Sequence, residues 1–124
     1  MTIRSGATCQ LQMCLDERRW WRESGTLAGP EARPPDTQPV LNLPFGLVYT
    51  TVRESATQGS LWLPQAAKAR EVVLHFVEGR IVAINAASAG DWLAAMLDRH
   101  SGEPRRVSHI GIGLNPHLAQ TVAN

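Results

Sequence analysis

The sequence lacks several features that define common protein classes. Twelve basic residues face eleven acidic ones in 124 residues, so nucleic-acid binding driven mainly by counterion release is not expected. No apolar run approaches the roughly 20 residues that a membrane-spanning helix needs, and residues 1–6 lack the apolar stretch of a signal peptide. We therefore expect a cytoplasmic protein with neither a membrane nor a nucleic-acid partner.

Cysteine is scarce as well, since the chain contains only Cys9 and Cys14. In one extended segment over residues 7–15 these thiols lie about 16 Å apart on opposite faces, whereas a disulfide needs Cα atoms within about 7 Å of each other. No glycine or proline between them supplies a turn. Both cysteines are predicted to be free thiols, and no Cys/His spacing indicates a zinc site.

Apolar residues make up 44% of the chain, which is typical of a globular domain, and most occur in short β-prone segments. The predicted strands cover residues 8–14, 18–21, 41–52, 60–63, 71–77, 80–85 and 107–114. The fourth strand is expected to end at Pro64. The last is expected to be buried, with Gly111 and Gly113 marking a bulge or a close backbone approach. Only Glu78 and Gly79 separate the fifth and sixth strands, which predicts a β-hairpin with a two-residue turn.

One helix is predicted from Ser88 to His100. Four apolar side chains occur at the spacing of one helical face: Trp92, Leu93, Met96 and Leu97. Ser88 or Asp91 is expected to cap the start of this helix, and Gly102 lies near its end.

These elements predict an α+β fold, a mostly antiparallel β-sheet or open barrel with one main helix packed on it. A single domain is expected over residues 1–124. Residues 24–40 contain four prolines and two glycines and are predicted to form a loop within it. Because the chain begins with Met1, we expect a natural short protein rather than a domain cut from a longer one.

Taken alone, the residues suggest little catalytic chemistry. The four histidines, at positions 75, 100, 109 and 117, have neither HxH nor HExxH spacing, and a structural role is expected for each. Residues 111–113 lack the third glycine and the following helix of a dinucleotide-binding motif. Residues 18–21, Arg-Arg-Trp-Trp, place cations beside aromatic rings. They either clamp a carboxylate or peptide group or alternate between core and solvent.

Six phrases follow one another along almost the whole chain. They are Gly-Ala-Thr-Cys-Gln-Leu at 6–11, Glu-Arg-Arg-Trp at 17–20, Leu-Pro-Phe-Gly-Leu-Val-Tyr-Thr at 43–50, Val-Glu-Gly-Arg-Ile-Val at 77–82, the helical segment at 90–98, and Arg-Arg-Val-Ser-His-Ile-Gly-Ile-Gly-Leu-Asn-Pro at 105–116. In this order they resemble the C-terminal domain of the M29 (aminopeptidase T-like) metallopeptidases. The last phrase is the most specific.

The departures from the family pattern concern its metal ligands. The position of one ligand glutamate holds Leu47, and that of another holds His109. The family's remaining ligands and its catalytic tyrosine lie downstream of the last phrase. Leucine has no donor atom and catalytic zinc sites usually have three protein ligands. The resemblance therefore implies a catalytically inactive protein without a metal or other cofactor.

Peptidase folds bind extended peptides largely through main-chain hydrogen bonds, and this binding can remain after the catalytic residues are lost. The first hypothesis is thus a peptide-binding protein that adds a peptide strand to a sheet edge. The truncation also resembles the M29-derived helper proteins of ribosomal-peptide (crocagin-type pyrroloindoline) pathways. That resemblance implies a precursor peptide and its modifying enzymes as partners, and a homodimer is expected.

The candidate peptide-binding residues follow from the same resemblance. Leu47 and His109 are expected to line the floor of the former metal cleft. The other candidates are polar or aromatic side chains that could hold a main chain, a side chain or a carboxylate: Tyr49, Arg53, Asn115, Arg18, Trp20 and Trp21. Ordinary packing or solvation is the alternative for each of them.

Two other hypotheses stay open at this point. The chain could be a non-catalytic module that dimerises or docks on a larger enzyme, with Trp62 and Trp92 in the interface. It could also be a residual enzyme that binds a metal through His109 together with His75 or His117.

Overall fold

The computed structural model describes residues 1–23 and 46–116, which form two β-sheets and one helix. The elements in chain order are β1 (Thr2–Ser5), β2 (Cys9–Cys14), β3 (Trp21–Glu23), β4 (Leu47–Thr51), β5 (Arg53–Ala66), β6 (Ala69–Val77), β7 (Arg80–Asn85), α1 (Gly90–Asp98) and β8 (His109–Gly113). A five-stranded antiparallel sheet has the order β1-β2-β5-β6-β7, and a three-stranded sheet has the order β3-β4-β8. Both sheets are open, and the predicted α+β fold is confirmed.

The chain divides into two compact units. The first comprises Met1–Arg18 and Thr51–His109 and contains the five-stranded sheet and α1, while the second comprises Arg19–Thr50 and Ile110–Asn124. The loop predicted at 24–40 lies outside the described residues. Within the described ranges, no helix has the length and apolarity needed to cross a membrane.

The core of the first unit lies between β6 and α1. Ala69 and Val72 on β6 are fully buried, Leu93 on α1 is 5% exposed, and Trp92 and Met96 pack against these three side chains. The predicted apolar face of the helix is therefore confirmed. Burial of a side chain such as Leu93 stabilises the fold by about 1.5–3 kcal/mol.

The predicted helix caps are wrong. The N-cap residue is Ala89, in the left-handed conformation with φ 56°, and no side chain caps the helix. Ser88 does not serve because its backbone pairs with Arg70 in an isolated bridge, so the helix begins only after the chain leaves this pairing. Asp91 lies in the first turn of the helix, where its charge favours the dipole.

The predicted end of a strand at Pro64 is also wrong, because β5 continues through this proline to Ala66. The Trp62 amide donates to Ser5 Oγ at 2.8 Å, on the side of β5 away from β6. Amides two residues apart point the same way, so position 64 faces the side where the pairing with β2 has already ended at Gly59. A proline there removes no hydrogen bond of the β5–β6 ladder.

Two further strand predictions need correction in their bounds. Of residues 18–21 only Trp21 is in a strand, since the Arg18 amide closes a turn onto Leu15 O at 3.2 Å. The strand predicted at 107–114 shortens to β8 and is mostly exposed, because β8 is an edge strand of the three-stranded sheet. A Cβ at Gly111 would lie 3.0 Å from Leu47 Cδ1, so the expected close approach is confirmed at this glycine.

The extended cysteine segment is confirmed. Cys9 and Cys14 begin and end β2, and both are free thiols. The Cys14 thiol lies 2.8 Å from Asp16 Oδ1.

The predicted hairpin is confirmed, and its turn packs closely against β5. Val77 pairs with Arg80, and the two turn residues have positive φ values of 48° at Glu78 and 77° at Gly79, as a type I′ turn requires. The Gly79 amide donates to Thr57 O at 2.8 Å. A Cβ at Gly79 would overlap the carbonyl of Glu54 on β5.

Replacing Gly79 by alanine is therefore expected to lower the free energy of unfolding by at least about 2 kcal/mol, through backbone strain and steric overlap together. Gly102→Ala is the matched control. Gly102 also has a positive φ, 85°, but a Cβ there meets nothing within 4 Å, so this variant should lose only about 1 kcal/mol. Urea unfolding of the two variants measures the difference, and equal losses would contradict the role of the Glu54 carbonyl.

Candidate functional site

The outer edge of β7 is one edge of the five-stranded sheet, and it lies beside a groove. The strand order places β7 at one edge. The start of the strand is covered, since the Ile81 amide donates to Arg105 O at 2.8 Å and Arg80 forms a bridge with Arg106. Beyond it, no strand in the described part of the chain pairs with the outer side of residues 82–85.

A groove of about 670 Å³ runs beside this edge, and we call it the β7 groove. Residues 82–91, Ala94 and Arg105 line it, so its walls are the edge of β7 and the N-terminal part of α1. Alanines contribute much of the lining, which leaves width for the side chains of a ligand. Val82 is 58% exposed at the mouth of the groove.

Edge strands usually carry lysine, proline or a bulge that prevents pairing with another strand. The sequence of β7, Arg-Ile-Val-Ala-Ile-Asn, has its only charge at the covered end. The register shifts between His75 and Phe76, because Val82 is an extra residue of β7 between Ile81 and Ala83. Beyond this bulge, residues 83–85 pair regularly with residues 73–75, and this part of the edge is uncharged.

Arg105, which lines the groove, forms an ion pair with Asp98. Arg105 Nε and Nη2 donate to Asp98 Oδ1 and Oδ2, both at 2.8 Å. The hydrogen bond from Arg105 lowers the pKa of Asp98 below its ordinary value, and the same hydrogen bond raises the pKa of Arg105. Arg105 therefore remains a fixed cation beside the groove.

Two of the predicted site residues come together elsewhere in the first unit. Arg18 and Arg53 line a cleft of about 490 Å³, together with Arg106, which the sequence analysis did not single out. We call it the arginine cleft. Ser108 also lines this cleft, and its hydroxyl lies 2.9 Å from His109 Nδ1. His109 itself is not part of the lining.

The other predicted site residues belong to the second unit. Trp21 on β3 pairs with Tyr49 on β4, and the Arg19 guanidinium lies 4.5 Å from the centre of the Trp21 ring. Trp20 and Trp21 are 44% and 48% exposed. Asn115 lies close to Gly46, because a Cβ atom added to Gly46 would be 3.0 Å from the Cβ atom of Asn115.

Leu47 and His109 fall in different units, so their place in one common cleft stays a prediction. Leu47 packs against Gly111 within the second unit. Of the other two histidines proposed as metal ligands, His75 Nε2 lies 3.1 Å from Asn85 Nδ2, and His117 lies outside the described residues. In the described ranges, no three His, Cys, Asp or Glu side chains gather as a metal site would require. The residues seen do not supply the ligand set of a family-type metal centre.

Sequence reasoning missed both the β7 groove and Arg106. The groove forms because residues 82–91 turn from an edge strand into a helix, and the strand order that places β7 at the edge is a long-range property. Arg106 had a local signal, since it stands beside Arg105 in the last of the six phrases.

Replacing Arg105 by glutamine is expected to raise the pKa of Asp98 toward its ordinary value, because the largest cause of the shift is removed. A carboxyl with a lowered pKa binds fewer protons in the folded than in the unfolded chain. The stabilisation from the pair is therefore complete above the unfolded-state pKa and is lost as pH falls through the folded-state pKa.

Carbon-detected NMR titration of the Asp98 carboxyl measures this effect. Arg99→Gln removes a neighbouring exposed arginine and should leave the Asp98 titration lowered. An Asp98 titration that is the same in wild type and Arg105→Gln would contradict the assignment.

Comparison with known proteins supports the fold. No family model and no curated protein sequence matches the chain. Among solved structures, wild-type AmpT from Thermus thermophilus matches with a TM-score of 0.64 and 17% sequence identity over 88% of this chain. The chain spans only 27% of the length of AmpT. At this identity the likeness shows a shared fold, so the chain has an M29 peptidase-like fold.

Proposed function

We propose that this protein binds an extended peptide as an additional strand on the outer edge of β7. The observation that supports it is the uncharged edge at residues 82–85, which pairs with no other strand of the described chain and borders the β7 groove. In strand addition the main-chain hydrogen bonds provide affinity, and pockets for alternate side chains provide specificity. In this proposal the β7 edge provides the main-chain hydrogen bonds, and the adjacent β7 groove accommodates the side chains.

The dimensions of the site agree with this proposal. The regularly paired part of the open edge, residues 83–85, spans about 10 Å of extended chain. The groove volume of about 670 Å³ falls in the ordinary range of ligand sites, about 300–1,000 Å³. The many alanines of the lining leave room for ligand side chains larger than their own.

The peptidase-like fold supports a role in holding rather than cleaving the peptide. Leu47 has no atom that can bind a metal, and the described residues assemble no alternative ligand set. We propose that the protein is a non-catalytic carrier, which presents a peptide, such as a ribosomally made precursor, to the enzymes that modify it. Strand addition needs only backbone groups of the edge, so it does not depend on the metal ligands.

A second candidate function is an assembly module that forms a dimer or docks on a larger enzyme. The second unit exposes several large apolar side chains: Trp20 at 44%, Trp21 at 48%, Ile112 at 42% and Leu114 at 60%. Such exposure is typical of an interaction surface. Trp62 and Trp92 are half-buried instead, since Trp62 Nε1 donates to Glu71 Oε2 at 3.1 Å and Trp92 packs on the core.

The substitution Val82→Lys tests the peptide proposal. A lysine on the open edge opposes strand pairing and should weaken binding of peptides selected from a displayed random library by at least about tenfold. Val77→Lys is a matched control, because Val77 is 51% exposed but lies on β6, which has a strand on each side. Calorimetry measures both affinities, and amide hydrogen exchange should show new protection at residues 82–85 when the peptide binds.

Equal losses in the two variants, or protection elsewhere in the chain, would contradict binding at β7. A library that yields no binder, together with a dimer in sedimentation analysis that Val82→Lys leaves intact, would favour the assembly module.

A further inference from the structure

The arginine cleft has no role in strand addition at β7, and it has the composition of a binding site. Three arginines line it, Arg18, Arg53 and Arg106, and Glu54 is the one acidic residue among its lining. Thr51, Ser55 and Ser108 add hydroxyl groups to the same lining. The lining itself holds more arginines than carboxylates, and Asp16 and Glu103 pair with Arg53 and Arg106 from outside it.

Backbone hydrogen bonds hold the three arginine positions in place. The Arg18 amide donates to Leu15 O at 3.2 Å, and Arg53 pairs with Cys14 in the β2–β5 ladder. The Arg106 amide donates to Glu103 O at 3.0 Å, and its backbone also forms the bridge to Arg80. The cleft is therefore built on fixed backbone, which reduces the cost of ordering it around a ligand.

Among residues 1–23 and 46–116, the partners of the three guanidinium groups are weak. Arg18 Nη1 donates to the neutral hydroxyl of Thr51 at 3.2 Å, and Arg53 lies 3.9 Å from the Asp16 carboxylate. Arg106 Nε lies 3.6 Å from both Glu54 and Glu103.

Arg105, the neighbour of Arg106 in the chain, provides a comparison, because its guanidinium group has a close carboxylate partner. It makes two parallel hydrogen bonds of 2.8 Å to a single carboxylate. None of the contacts described for the cleft arginines has this geometry, so the cleft retains donors for an anion that comes from outside.

We propose that the arginine cleft binds the carboxylate group of an amino acid or peptide. Guanidinium groups match a planar carboxylate through paired hydrogen bonds. The volume of about 490 Å³ exceeds that of a small inorganic ion and leaves space for the carbon chain attached to a carboxylate. Glu54 in the lining repels a phosphate dianion more strongly than a carboxylate of single charge.

The cleft and the β7 groove are separate cavities that share no lining residue. The carboxylate proposal therefore goes beyond the proposed peptide-strand site and can be tested without any peptide bound there.

NMR titration of the full chain with small blocked amino acids, at constant ionic strength, tests the proposal. N-acetylglycine carries a main-chain carboxylate, and N-acetylglutamate α-amide carries a side-chain carboxylate. N-acetylglutamine amide has neither, and inorganic phosphate provides a comparison anion. At least one of the two carboxylates should produce saturable shifts of the Arg53 and Ser108 amides, and the amide compound should not. Which carboxylate binds more tightly identifies a C-terminus or an acidic side chain as the source.

Arg18→Gln is expected to weaken carboxylate binding by about tenfold, since it removes one charged hydrogen bond. Arg53→Gln provides a second variant if Arg18→Gln disturbs the fold. Arg99→Gln makes the same charge change outside the cleft and should leave the affinity unchanged, as should Val82→Lys. The proposal is overturned if neither carboxylate saturates, if phosphate binds more tightly than both, or if the cleft variants bind as the wild type does.

Discussion

The turn at Gly79 is the constraint on which the arrangement of both cavities depends. Its amide donates to Thr57 O on β5, and its carbonyl accepts the Val107 amide at 2.9 Å. Only a residue without a Cβ fits there, because the Glu54 carbonyl occupies the position that a side chain would take. One turn thus ties the β6–β7 hairpin to β5 on one side and to the segment at 105–107 on the other.

That segment contributes to both the β7 groove and the arginine cleft. Arg105 and Arg106 are adjacent in the chain, yet the first lines the β7 groove and the second lines the arginine cleft. Their backbone covers the start of β7 through Ile81 and Arg80 and leaves residues 82–85 open. The two arginines differ in their partners, since Arg105 makes two hydrogen bonds of 2.8 Å to Asp98, whereas Arg106 makes only ion pairs of 3.6 Å to Glu54 and Glu103.

Local patterns were sufficient to predict the hairpin, the helix face and the free cysteines. Each depends on residues that are neighbours in the chain: the Glu78-Gly79 turn, the spacing of Trp92 and Leu93, and the extended run of β2. The passage of β5 through Pro64 was not predictable, because it depends on which side of the strand lacks a partner. The helix start at Ala89 was missed for a related reason, the pairing of Ser88 with distant Arg70.

The candidate site was harder to predict than the fold, because it also depends on the pairing of residues that are distant in the chain. A resemblance between phrases directs attention to the side chains that a family uses, and so to Leu47 and His109. Main-chain recognition uses none of them, since any sequence that forms an edge strand presents the same amide and carbonyl groups. The chain has a peptidase-like fold at 17% identity, and the strand addition that we propose at β7 uses neither Leu47 nor His109. Leu47 provides no metal-binding atom, and it does not belong to β7, so the proposed strand addition requires no metal chemistry at position 47.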